Sequence, residues 1–252
     1  MMRVLTGFMP LDLSVVTEAA VLVGALAQRL TGIGFSLIVA PALTFAIGPS
    51  AGVDLTNLLT LLVAFAVLVT SACRVDLARS SLLVPAGLMG VLPGSILVHL
   101  LPARPLQVAV GAIAGLGLLT VVAAPRLRIR SSRAVTICAG VGSGLTTALA
   151  GAGGPALTIY AVATHWPQQE FIATGQLNYA IQAALALAIK GLPSFPAAWF
   201  SGAAAAILAG LASGAYLASR TSGDRSRQVT IVLAGLAALA TVIAGAAGWP
   251  RR

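Results

Sequence analysis

Two clusters of glycine interrupt runs of apolar sequence: Gly32-Ile33-Gly34, and Gly151-Ala152-Gly153-Gly154 followed by Pro155. A helix that begins after such a break leaves its first N–H groups without intrahelical partners, and its macrodipole places partial positive charge there. Two such ends brought together at mid-membrane depth make a binding site for an anion. Pro155 suits the first turn of a helix, where a missing N–H is not needed, and Gly153 and Gly154 let a ligand approach the backbone closely. On this reading Gly32, Gly34, Ser36, Gly151, Gly153, Gly154 and Pro155 belong to the candidate substrate site. The competing role for the same glycines is close packing of helices through small residues.

Polar side chains flank both breaks. Thr56, Asn57 and Thr60 follow the first, while Thr158, Thr174, Gln176, Asn178 and Gln182 follow the second. Uncharged donors suit a dehydrated anion, because they supply N–H and O–H bonds without the cost of burying a fixed charge. Thr56, Asn57, Gln176 and Asn178 complete the candidate site, with helix-to-helix hydrogen bonding as the plain alternative. Among ionisable residues, Glu18 lies in the first apolar run and Arg29 immediately precedes the first break. An intramembrane ionisable group is a functional candidate, so both are candidates for coupling; Arg29 equally suits an interfacial position reached by snorkelling. His99 and His165 read as interfacial, and Trp166 as an aromatic anchor.

The six acids and two histidines are scattered. They offer neither a nucleophile–base pair, paired aspartates nor an HExxH metal motif, and no Walker A sequence occurs. Cys73 and Cys138 have no metal partners at ligand spacing. The expectation is therefore a non-enzyme without cofactor or metal, and transport not powered by an ATPase of its own.

The elements that must position these residues are membrane helices. Hydrophobic residues make up 58% of the 252 and charged ones 8%, with a mean hydropathy of +0.99; soluble domains carry roughly one quarter charged residues. The net charge of +9 sits in short loops, as positive-inside sorting produces, so nucleic acid is not expected as a partner. The opening residues lack the pattern of a cleaved signal peptide. Apolar segments fall at about 13–28, 35–47, 54–72, 81–100, 105–124, 134–150, 155–164, 171–190, 196–219 and 228–248, the second and seventh too short to span a ~30 Å core comfortably. We expect an all-α polytopic membrane protein of about 8 spans, plus or minus 2, in a single membrane domain.

Shifted by about 119 to 121 residues, the chain overlies itself. Gly32 and Gly34 fall on Gly151 and Gly153, and the stretch from Gln107 falls on that from Gln228. This predicts two repeats, 13–124 and 134–248, each with a short glycine-broken, re-entrant helix, joined by a basic cytoplasmic linker at 125–133. Interrupted short segments at matching positions of two repeats point to a transporter's midplane site. Parallel repeats put the termini inside and inverted repeats put them outside; inversion is favoured.

The motifs G-I-G-F-S-L-I-V-A-P (Gly32 to Pro41) and A-G-A-G-G-P-A-L-T-I (Ala150 to Ile159), with D-L-T-N at 54–57 and P-A-G-L-M-G-V-L-P-G from Pro85, resemble the paired glycine-rich motifs of the TauE/SafE family of sulfite and organosulfonate exporters. Phe35 and Asn57 depart from the family pattern. The resemblance implies a multi-pass bacterial inner-membrane permease for a small anion, sulfite or an organosulfonate, with the lipid bilayer as its surroundings and a homo-oligomer as an open alternative. A membrane potential negative inside drives anions outward by about 2.3 kcal/mol per charge per 100 mV, which favours export. The readings from other classes are an intramembrane enzyme and a non-transporting membrane subunit.

Overall fold

The structure, a computed structural model, describes residues 11–32, 34–123, 130–193, 197–218 and 220. The elements in chain order are α1 (Leu11–Thr31), α2 (Gly34–Ile47), α3 (Pro49–Ser71), α4 (Leu77–Leu100), α5 (Ala103–Ala123), α6 (Arg133–Ala150), α7 (Gly154–Ala163), α8 (Gln168–Lys190) and α9 (Ala197–Ala218), with one 3-10 turn at Ala72–Arg74. No strand occurs among the described residues. These helices coincide with the first nine apolar segments. The tenth segment, the stretch from Gln228, and Arg126 and Arg128 of the basic linker lie outside the described residues.

The helix ends follow from local chemistry. Asp76 caps α4, its Oδ1 accepting from Arg79 N at 3.0 Å, and Ser132 caps α6, its Oγ accepting from Val135 N at 3.3 Å. Pro49 and Pro155 open α3 and α7, where a proline ring is already shaped for the first turn. Gly151, at φ 65°, closes α6 in the left-handed conformation. Its N–H donates to Thr147 O at 2.8 Å and that of Ala152 to Thr146 O at 3.3 Å, which satisfies carbonyls the ended helix would otherwise strand.

Five helices among the described residues are long and apolar enough to cross a membrane: Pro49–Arg74, Leu77–Leu100, Arg133–Ala150, Gln168–Lys190 and Trp199–Leu217. The expectation of about 8 spans, plus or minus 2, is for the whole chain, whose tenth apolar segment lies outside the described residues. With 14 and 10 residues, α2 and α7 reach only about 21 Å and about 15 Å, short of a crossing.

The long helices pair through glycine. Along α4 and α6, Gly87, Gly90 and Gly94 face Gly140, Gly144 and Leu145, so closely that a Cβ at Gly90 would overlap Val141 O and stand 2.9 Å from Leu145 N. Along α1 and α9, a Cβ at Gly210 would meet Leu22 O at 2.5 Å and Leu26 N at 3.1 Å, and one at Gly214 would meet Leu26 O at 2.8 Å. Small residues at these positions let the two backbones touch. In both pairs the contacts advance in the same direction along the two chains, so α4 runs parallel to α6 and α1 parallel to α9. By contrast α3 and α8 run opposite ways, since Asp54 near the start of α3 meets Lys190 at the end of α8. Between these helices sit the buried side chains of α2, from Phe35 to Leu43.

Candidate functional site

At the first break a single amide holds the backbone together. Gly32 turns at φ 83°, which a side chain would oppose, and Ile172 fills the space where its Cβ would stand. Gln28 lies one helical turn earlier on α1. Its Nε2 donates to Gly32 O at 2.9 Å and its Oε1 accepts from Phe35 N at 3.0 Å. The amide thus satisfies one carbonyl left over from the end of α1 and one N–H exposed at the start of α2. From α8, Gln176 Nε2 approaches the same Gly32 carbonyl at 3.3 Å.

At the second break hydroxyls stand where the first has an amide. Thr147 precedes Gly151 by one turn, as Gln28 precedes Gly32, and its Oγ1 has two acceptors at 2.8 Å, Ser143 O and Gln182 Oε1. Ser143 Oγ also donates to Gln182 Oε1, at 3.1 Å. Gly153 is pressed onto this cluster: a Cβ there would overlap Thr147 Oγ1 and stand 2.9 Å from Ser143 Oγ.

Between the breaks is a cavity lined by Gln28, Phe35, Ser36, Thr60, Val63, Thr147, Gly153, Gly154, Gln176 and Tyr179. The first turn of α2 and the first residue of α7 therefore border the same space. In this conformation the space holds roughly one water. Amides, hydroxyls and helix N-termini surround it, and none of its lining side chains is charged. Two lining hydroxyls, Thr60 Oγ1 and Tyr179 OH, are buried without a hydrogen-bond partner. Buried polar atoms are ordinarily paired, so these two are hydroxyls on the cavity wall whose hydrogen-bonding capacity is unspent.

Of the residues expected from sequence, Ser36, Gly153, Gly154 and Gln176 line the cavity. Gly32 presents its carbonyl to Gln28 and Gln176 just beside it, and Gly34 packs against Ala27. Others face elsewhere. Thr56 spends its hydroxyl on Gly52 O at 2.7 Å, and its methyl lies where a Cβ on Gly151 would come within 2.7 Å. Pro155 packs against Gly117 of α5. Asn178 faces α6, its Nδ2 3.5 Å from Ser143 Oγ. Asn57 is fully buried with neither amide atom partnered. Glu18 and Arg29 both pack against α9, at Gly202 and Gly214, off the cavity lining. Trp166, read as an interfacial anchor, is buried in an aromatic group with Tyr160 and Phe171, and the Arg79 guanidinium lies 4.5 Å above its ring centroid.

Sequence reasoning did not single out Gln28, Thr147 or Tyr179. Gln28 and Thr147 were findable, each lying four residues before the first glycine of its break. Lys190 was missed as well: its ammonium, fully buried, stands 2.7 Å from Asp54 Oδ1 as an ion pair off the hydrogen-bonding angle, and 3.3 Å from Ala148 O.

Broken helices whose N-termini border one uncharged polar cavity, beside helices long and apolar enough to cross a membrane, define a helical membrane protein. The sequence profile of the sulfite exporter TauE/SafE family matches residues 18–241, and the chain belongs to that family, whose members are membrane transporters of sulfite- and organosulfonate-type anions. No curated protein and no solved structure matches the chain significantly.

Proposed function

We propose that this chain is an inner-membrane permease that exports a small anion, sulfite or an organosulfonate, through the cavity between α2 and α7. The observation that carries the reading is the meeting of two helix N-termini on a cavity without fixed charge, with unpartnered hydroxyls on its wall. Ser36, Gly153 and Gly154 supply backbone donors to the anion, and Gln176 adds an amide.

Two inverted repeats make such a site by symmetry. The reading is supported by contacts that recur at a shift of about 120 residues: Gly90 meets Val141 O and Leu145 N as Gly210 meets Leu22 O and Leu26 N, and Gly94 meets Leu145 O as Gly214 meets Leu26 O. Helix directions support inversion. Because α9 begins where α8 ends and runs parallel to α1, both α1 and α3 start at the Lys190 end of the molecule, so α2 must return between them. Likewise α6 and α8 both start at the Asp76 end, where Asp76 N donates to Thr174 Oγ1 at 2.9 Å. There α7 comes back to the beginning of α6, Tyr160 OH lying 3.0 Å from Thr136 Oγ1. Arg74, Arg79, Arg130 and Arg133 gather at that end, which the positive-inside rule makes cytoplasmic.

The test is thermal unfolding of the detergent-purified protein against sulfite, sulfonates, thiosulfate, sulfate and small carboxylates at matched ionic strength, with flux into proteoliposomes in parallel. A ligand at 100 times its Kd stabilises the native state by about 2.7 kcal/mol. A selective upward shift with a sulfur anion is expected, with flux lost in Gly153→Leu while membrane insertion persists. Normal flux in Gly153→Leu would remove the broken-helix site from the account.

A further inference from the structure

We infer, on the reading of this cavity as an anion site, that it selects singly charged anions over doubly charged ones of similar size, with the Tyr179 hydroxyl as the donor that fixes a ligand oxygen. No lining side chain carries a charge. The charged side chains described above lie off the lining: Lys190 pairs with Asp54, Arg79 Nε stands 3.4 Å from Asp76 Oδ2, and Glu18 and Arg29 pack against α9. The Born cost of stripping water from an ion grows with the square of its charge, about fourfold from one charge to two. Hydrogen bonds from neutral donors and partial helix charges return an attraction that grows only in proportion to charge. A wall of hydroxyls, amides and backbone N–H groups therefore favours the monoanion.

Tyr179 is 5% exposed, it lines the cavity, and its hydroxyl has no partner. Its ring lies back over Gly175, where a Cβ would sit 3.4 Å from Cε2. Thr60 Oγ1 is a second unpartnered donor on the same wall. Phe35 and Val63 supply an apolar side to a space that in this conformation holds roughly one water, so the ligand class is a small monoanion with an oxyanion head, and the cavity has to widen to admit it.

Titration calorimetry on the purified full chain, at neutral pH and matched ionic strength, separates the factors with three probes. Methanesulfonate and sulfate differ in charge and in one methyl group, whereas perchlorate and sulfate share tetrahedral shape and differ in charge. Methanesulfonate and perchlorate are each expected to bind at least about tenfold tighter than sulfate. Tyr179→Phe, which keeps the ring, is expected to weaken methanesulfonate binding by about tenfold or more; Thr60→Val, nearly isosteric, weakens it in the same direction. Sulfate binding as tightly as both monoanions would overturn the charge selection and leave the anion site standing. Perchlorate as weak as sulfate beside tight methanesulfonate would also overturn it, since the methyl group would then be what is selected. Unchanged affinity in a folded Tyr179→Phe protein would overturn the role of the hydroxyl. Binding of none of the three overturns the inference together with the anion-site reading.

Discussion

Asp54 and Lys190 form an ion pair whose two halves are unequally buried, and the inequality sets what each substitution does. The Lys190 side chain is 0% exposed and that of Asp54 is 21% exposed. Asp54→Asn removes the countercharge of a buried ammonium, leaving it only neutral acceptors, the new amide oxygen and Ala148 O at 3.3 Å. Breaking a buried pair from that side costs about 3–5 kcal/mol. Lys190→Met leaves a carboxylate that already reaches solvent, and the loss is closer to the about 1–3 kcal/mol of a stranded polar group. The double variant removes both charges and is expected to be more stable than Asp54→Asn alone, with a coupling of at least about 1 kcal/mol in the double-mutant cycle. Reversible unfolding in mixed lipid–detergent micelles measures all four proteins. Singles of equal cost with a double additive to within about 0.5 kcal/mol would refute the argument, and would mean that Lys190, at the end of its helix, reaches the interface instead.

Two further outcomes are expected. Gly90→Leu and Gly210→Leu insert bulk where backbones touch in α4 and α9, so each should destabilise by about 1–3 kcal/mol or more; if unfolding shows one tolerated and the other not, the proposed repeat loses its support from these contacts. Glu18→Gln should leave anion affinity unchanged, because the carboxylate packs at Gly202 of α9, and an unchanged pH profile of flux would retire Glu18 as the carrier of a coupling proton.

The sequence marked helix limits well, because proline, glycine and capping residues act locally. Pro49, Pro155, Asp76, Ser132 and Gly151 each do their work within about one turn of where they stand. The breaks were legible for the same reason, and with them Ser36, Gly153 and Gly154. Which helix face meets the cavity was not legible, since that depends on which helices pair and in what direction. Thr56 and Asn178 were expected at the site on the strength of polarity, yet Thr56 back-bonds to its own helix and Asn178 turns to α6. Glu18 and Arg29 go to α9 because Gly202 and Gly214 leave room for them there. Tyr179 reads in sequence as one more aromatic in an apolar helix; only its position across from Thr60 and Gln28 exposes its hydroxyl as a donor without an acceptor. Lys190 closes an apolar helix as an interfacial lysine would, and its partner comes from 136 residues away in the chain, read from positions 54 and 190.

The Gln28 amide makes the two halves of the cavity unlike in how they receive a guest. Its Oε1 already occupies the N–H of Phe35, standing in for the oxygen that a bound anion would bring to α2. An oxyanion arriving there must displace an acceptor of the protein's own, so its net gain is a difference between two hydrogen bonds. At α7 no side chain caps the helix at Gly153, so an oxygen arriving there has no such capping acceptor to displace. On the permease reading, the resident surrogate on the α2 side lowers the affinity of the whole below what two open helix ends would give, and modest affinity is what allows a carrier to let go.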